Sequence, residues 1–187
     1  MKVLRRVVRF EPGTVPAGEA VTKMGGQPRW LEDPQWPLSA SLGEPMQFIG
    51  QFRIDGGGEA RLAYVFMTDG DDYVDGTWEP DGGENAVIVQ PGGQVPPFVT
   101  VRAQAEGPAW PAADHLPVDF VVDAGREPWQ FLGGEPRWLQ GEETPGPGWR
   151  FVAQLTDSFG HNFGDAGIGY VFVSPDGDEG RFLWQCG

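Results

Sequence analysis

The chain has 187 residues, with 13 Lys and Arg against 27 Asp and Glu and a formal charge of −14. That balance argues against generic nucleic-acid binding, which needs a basic face to displace counterions from phosphate. Gly (29) and Pro (18) are dense enough to disfavour long helices, while 8 Trp, 12 Phe and a 40% hydrophobic content supply a core. The sequence therefore reads as a folded domain of turns and short strands.

The opening residues 1–10 interleave Arg with apolar side chains and lack the unbroken apolar run of a signal peptide. No stretch approaches the ~20 apolar residues of a membrane span. A soluble cytoplasmic protein is expected. Residues 3–10 form the first predicted strand, followed by 46–54, 61–68, 85–90, 97–104, 118–123, 149–156, 167–174 and 181–186, each rich in β-branched and aromatic residues. Strict alternation in 46–54 places Phe48, Gly50 and Phe52 on one face and Ile49, Gln51 and Arg53 on the other. Both faces carry apolar residues, which predicts a central strand. The best helical candidate is a single turn at 111–116. The last two strands read as a hairpin across Pro175-Asp176-Gly177-Asp178-Glu179-Gly180. A mainly β fold follows, or an α+β fold with a few short helices.

Self-comparison reveals a repeat. Gly25-Gly26-Gln27-Pro28-Arg29-Trp30-Leu31 recurs as Gly133-Gly134-Glu135-Pro136-Arg137-Trp138-Leu139, identical at six of seven positions. Phe48-Ile49-Gly50-Gln51-Phe52 then matches Phe151-Val152-Ala153-Gln154-Leu155, and Tyr64-Val65-Phe66 matches Tyr170-Val171-Phe172. A competing register aligns Glu44-Pro45-Met46-Gln47-Phe48-Ile49-Gly50 with Glu127-Pro128-Trp129-Gln130-Phe131-Leu132-Gly133, but three blocks in the same order favour the first. The expectation is one domain over 1–187 holding two repeats, about 23–105 and 131–187, packed about a pseudo-two-fold axis.

These segments, together with Lys23-Met24, Trp36-Pro37 and Phe163-Gly164-Asp165-Ala166-Gly167, resemble the YwqG-like family, a bacterial domain family without an established biochemical function. The resemblance implies a mixed α/β or mainly β fold with a duplicated core. It implies no catalytic residues.

Chemistry-bearing motifs are sparse. Two histidines, His115 and His161, and four serines occur without a nucleophile elbow, and Asp114-His115 and Ser158 with His161 make only partial triads. Gly56-Gly57-Gly58 and Gly82-Gly83 lack the Lys-Ser/Thr of a phosphate loop. Cys186 has no partner for a disulfide. Residues 69–84 carry seven acidic side chains and no basic one, which suggests either a solvated loop or an irregular Ca²⁺ site, although the EF-hand register fails at Tyr73 and Gly82. No cofactor, metal or catalytic residue is assigned.

The repeated residues are the candidate site: Arg29, Trp30 and Gln51 in one copy, Arg137, Trp138 and Gln154 in the other, with Asp165 as an acidic partner. Structurally, Trp would fill the core and Gln would tie a strand to a loop. Functionally, both copies would line one shared groove. The chain is expected to be a non-enzymatic protein-interaction domain, regulatory or neutralising toward a basic bacterial partner, toward which its charge would steer it. The alternative is a small-ligand or carbohydrate-binding module using Trp in a groove between the repeats. The basic first strand and the acidic loop are also expected to be able to pair, within one molecule or between two.

Overall fold

Residues 4–54 and 58–187 are described by a computed structural model, and the apolar runs between Gly and Pro form strands, with no helix among the described residues. Val3 of the first predicted strand, and Gly56 and Gly57 of the glycine run, lie outside the described residues. Among the described residues no helix is long and apolar enough to cross a membrane. In chain order the strands are β1 (Arg6–Pro12), β2 (Lys23–Met24), β3 (Trp36–Leu38), β4 (Gln47–Ile54), β5 (Arg61–Met67), β6 (Asn85–Gln90), β7 (Thr100–Arg102), β8 (His115–Asp119), β9 (Phe131–Leu132), β10 (Arg150–Thr156), β11 (Ile168–Val173) and β12 (Gly180–Gln185).

Ten strands make one antiparallel sheet in the order β12-β11-β10-β9-β1-β8-β2-β4-β5-β6, and β3 and β7 pair separately. The large sheet curls until its two edges meet, forming a nearly closed barrel. Across the seam Gln94 N donates to Asp178 O at 2.7 Å, and Trp184 Nε1 donates to Thr77 Oγ1 at 3.2 Å. Glycine permits this approach: a Cβ at Gly180 would lie 2.2 Å from Val87 Cγ1.

The barrel interior is one apolar cluster drawn from both ends of the chain, including Val8, Phe10, Phe52, Val65, Val87, Leu155, Val171 and Phe182. Two further clusters lie on the other face of the sheet. Trp36 packs with Phe48, Leu62, Tyr64 and Phe66 on one flank, and Trp138 and Trp149 cover Tyr170, Phe172 and Leu183 on the other. Both faces of β4, β5 and β11 are therefore buried, as their continuous apolar sequences require.

A β-bulge corrects the alternation expected in β4. Phe48 pairs with Phe66 and Gly50 with Val65, so the register shifts at Ile49. Phe48 consequently joins the outer cluster while Ile49 and Phe52 enter the barrel, placing Phe48 and Phe52 on opposite faces. β10 bulges at the corresponding point, where Phe151 pairs with Phe172 and Ala153 with Val171.

Other expectations also change. The turn expected at 111–116 is no helix, and His115 and Leu116 already belong to β8. That strand starts earlier than the expected 118–123, because Leu116 and Pro117 pair with Glu11 and Phe10. The strand expected at 97–104 contracts to β7.

Strand polarity fixes two ends. Every neighbouring pair is antiparallel. The first residues of β1, β5, β10 and β12 therefore share an end with the last residues of β4, β6 and β11. Arg6, Arg53, Arg61, Arg150 and Arg181 gather there. The connections from β5 to β6 and from β10 to β11 gather at the opposite end.

Candidate functional site

Six of the seven sequence-predicted residues prove to be parts of two matching latches. Gln51 is fully buried on β4; its Oε1 accepts from Arg29 N at 3.0 Å and its Nε2 donates to Val21 O at 2.9 Å. Gln154 is fully buried on β10; its Oε1 accepts from Arg137 N at 2.8 Å and its Nε2 donates to Trp129 O at 3.0 Å. Tyr64 and Tyr170 complete each latch. Tyr64 OH donates to Arg29 O at 2.7 Å, and Tyr170 OH donates to Arg137 O at 3.0 Å. Burial pushes both phenols upward, Tyr170 to about 12, so both remain neutral donors at pH 7.

The aromatic packing matches as well. Trp30 lies 4.8 Å from Tyr64, and Trp138 lies 4.6 Å from Tyr170, centroid to centroid. Each indole sits in a different outer cluster. The two copies thus do not converge on the shared groove considered from sequence. Asp165 occupies a tight turn whose next residue, Ala166, has φ 48°, and its carbonyl accepts from Gly187 N at 3.0 Å. Its exposed side chain joins neither latch.

The arginines differ between copies. Arg137 lies over Trp129, 3.6 Å from the ring centroid, whereas Arg29 reaches Asp114 at 3.4 Å. Asp114 also accepts from the buried Lys23 at 2.7 Å. Burial lowers the Lys23 pKa, and the bond to Asp114 opposes that shift. Asp114 is thereby committed to Lys23 and Arg29 rather than to His115, whose Nδ1 approaches Ala113 O at 2.8 Å. The sequence pair Asp114-His115 makes no catalytic dyad.

A different surface carries the exposed functional groups. The connection from β5 to β6, residues 68–84, spans 17 residues, whereas that from β11 to β12, residues 174–179, spans six. Both close on the same backbone bond: Thr68 N donates to Glu84 O and Ser174 N to Glu179 O, each at 2.8 Å. The longer loop is pinned at its base. Glu84 is buried and accepts from Ser39 Oγ (2.6 Å), Thr68 Oγ1 (2.7 Å) and Ser41 N (2.8 Å). Burial pushes its carboxyl upward, but these three donors outweigh burial and hold it below the ordinary value. Asn85 Nδ2 donates to Thr77 O and Glu79 O at 2.8 and 2.9 Å.

On this anchored loop Asp69, Asp71, Asp72, Asp75 and Asp81 are exposed. So are two rings, Tyr73 at 79% and Trp78 at 42%. Met67–Val74 and Thr77 with Asn162 line a recess of about 280 Å³. Among the described residues, no three His, Cys, Asp or Glu side chains form a metal-binding group. Glu84, one of the seven acids behind the calcium reading, is turned inward onto Ser39, Ser41 and Thr68.

Within one molecule the basic first strand does not pair with this loop. Arg6 and Arg5 meet Asp119 and Glu127 at 2.7 and 3.9 Å, Arg9 meets Glu11 at 2.6 Å, and the loop lies at the opposite end of the barrel. Sequence reasoning recognised the acids but missed the exposed Tyr73 and Trp78. The signal available was the unequal spacing between otherwise matching strands.

Comparison with protein-family models, curated proteins and solved structures finds no match to this chain. No family model or relative therefore supports the resemblance to the YwqG-like family read from the motif residues.

Proposed function

We propose that the chain is a non-catalytic binding domain that engages a Lys- or Arg-rich protein segment through the loop between β5 and β6. The observation that carries this reading is the exposure of Tyr73 and Trp78 among five exposed aspartates on a loop with a buried anchor. Aromatic faces attract ammonium and guanidinium groups, and the carboxylates add directional, charge-assisted bonds. A pinned loop loses less conformational freedom on association than a mobile one. The formal charge of −14 would steer a cationic partner toward the surface. Matching latches and a sheet order that reads alike from either edge support descent from two copies of one unit, one of which has gained the longer loop.

Fluorescence anisotropy of a labelled Lys/Arg-rich peptide tests the proposal. Binding should weaken with salt and with Asp71→Asn/Asp72→Asn. Tyr73→Ala/Trp78→Ala should weaken it by about fivefold or more, as two exposed cation–π contacts of ~0.5–1 kcal/mol each imply. Failure to bind, or equal binding by all three proteins, would remove the proposal.

A further inference from the structure

At the opposite end of the barrel, Arg6, Arg53 and Arg150 line a cavity of about 460 Å³ with Phe52, Leu132 and Val152. No carboxylate lines it among the described residues, although the whole chain carries twice as many acids as bases. Arg6 Nε donates to Asp119 Oδ1 at 2.7 Å, so that guanidinium lines the cavity with one donor already engaged. The apolar side arises from an asymmetry between the two bulges. Ile49, at the bulge of β4, is fully buried in the barrel, whereas Val152, at the bulge of β10, is only partly buried and forms cavity wall.

We propose that this cavity binds a small organic anion with a carboxylate or phosphate head and an apolar body. Guanidinium forks match both heads in geometry and charge, and Phe52, Leu132 and Val152 offer surface for the body. The volume lies within the range of small-molecule sites. The site lies away from the acidic loop, so its occupancy is independent of the peptide-binding proposal.

The test is a residue-resolved NMR titration of the full chain with phenyl phosphate, phenylacetate, inorganic phosphate and benzyl alcohol. Phenyl phosphate or phenylacetate should shift the amides of Gly133, Gly134, Phe151 and Val152 in a saturable way, and their relative affinities identify the preferred head. Each ligand half alone should bind at least about tenfold more weakly than the better anion, the loss expected for one charge-assisted bond or its apolar counterpart. Arg53→Gln/Arg150→Gln should weaken binding by about tenfold or more, with Arg150→Gln alone as the milder variant if the double change unfolds. Scattered shifts, no shifts at ~10 mM ligand, benzyl alcohol or inorganic phosphate binding as tightly, or no effect of either Arg variant would overturn the proposal.

Discussion

Gln51 and Gln154 stand at matching places on β4 and β10, and each holds the backbone of an Arg-Trp segment, with Oε1 to nitrogen distances of 3.0 Å to Arg29 and 2.8 Å to Arg137. Both amides are fully buried and use donor and acceptor alike. Leucine at either position would leave a backbone N–H and a carbonyl without that partner. Gln51→Leu and Gln154→Leu should each lower stability by about 2–4 kcal/mol in urea unfolding. A loss below about 0.5 kcal/mol would show that the latches do not hold these segments.

Lys23 tests the asymmetry between the two halves, because its sequence counterpart is Phe131. The Lys23 side chain is fully buried and Asp114 is 20% exposed, so removing the acid strands a charge that cannot reach water. Asp114→Asn should cost about 3–5 kcal/mol, and Lys23→Met should cost distinctly less. Lys23 has a depressed pKa in the folded chain, so the unfolded chain binds the additional proton below about pH 10.5. Stability of Asp114→Asn should therefore rise as pH increases toward 10, a trend that urea titrations at successive pH values would reveal.

His161 should make the protein sensitive to mild acid. Burial lowers its pKa from 6.5, opposed by its bond to Trp110 O and the charge of Asp69. Its Nε2 donates to Trp110 O at 2.8 Å, and Nδ1 has no hydrogen-bond partner among the described residues. Below pH 6.5 the unfolded chain takes up a proton that the folded chain resists, so stability should fall with pH until the folded-state pKa is passed. His161→Gln should flatten that part of the profile. Glu84, whose folded pKa is lowered, adds a separate loss as pH drops below about 4.5.

Closure of the barrel is open to a steric test. Gly180→Ala would drive a methyl group to 2.2 Å from Val87 Cγ1. Overpacking of this kind should cost about 1–3 kcal/mol. Adding Val87→Ala to Gly180→Ala should recover part of the loss in a double-mutant cycle. Purely additive effects would contradict contact between β6 and β12 at this point.

The long apolar strands were legible because β4, β5, β6, β10, β11 and β12 are continuous runs bounded by Gly, Pro and Asp. The repeat also pointed to both buried glutamines, and the latch bonds pair them in the register that three blocks favoured. The two-residue strands β2 and β9 show no period over so short a length, and β3 contains Pro37. Pro117 likewise discouraged an early start for β8. Beyond His115, β8 is paired only with β1, so Pro117 sits on an effective edge, where a missing N–H is tolerated. The bulges were hidden because alternation assumes an unbroken ladder. Exposure of Tyr73 and Trp78 depends on the fold around them, which composition does not encode, while the surplus loop length did mark where the matching strands diverge.

The central claim is most directly tested by an amide chemical-shift map of the full chain titrated with a Lys/Arg-rich peptide. The account predicts saturable shifts concentrated at residues 69–81 and at the adjoining Asn162, weakened in Tyr73→Ala/Trp78→Ala. Shifts confined to other faces, or a diffuse pattern that follows exposed carboxylates throughout the surface and ignores the aromatic substitutions, would contradict it.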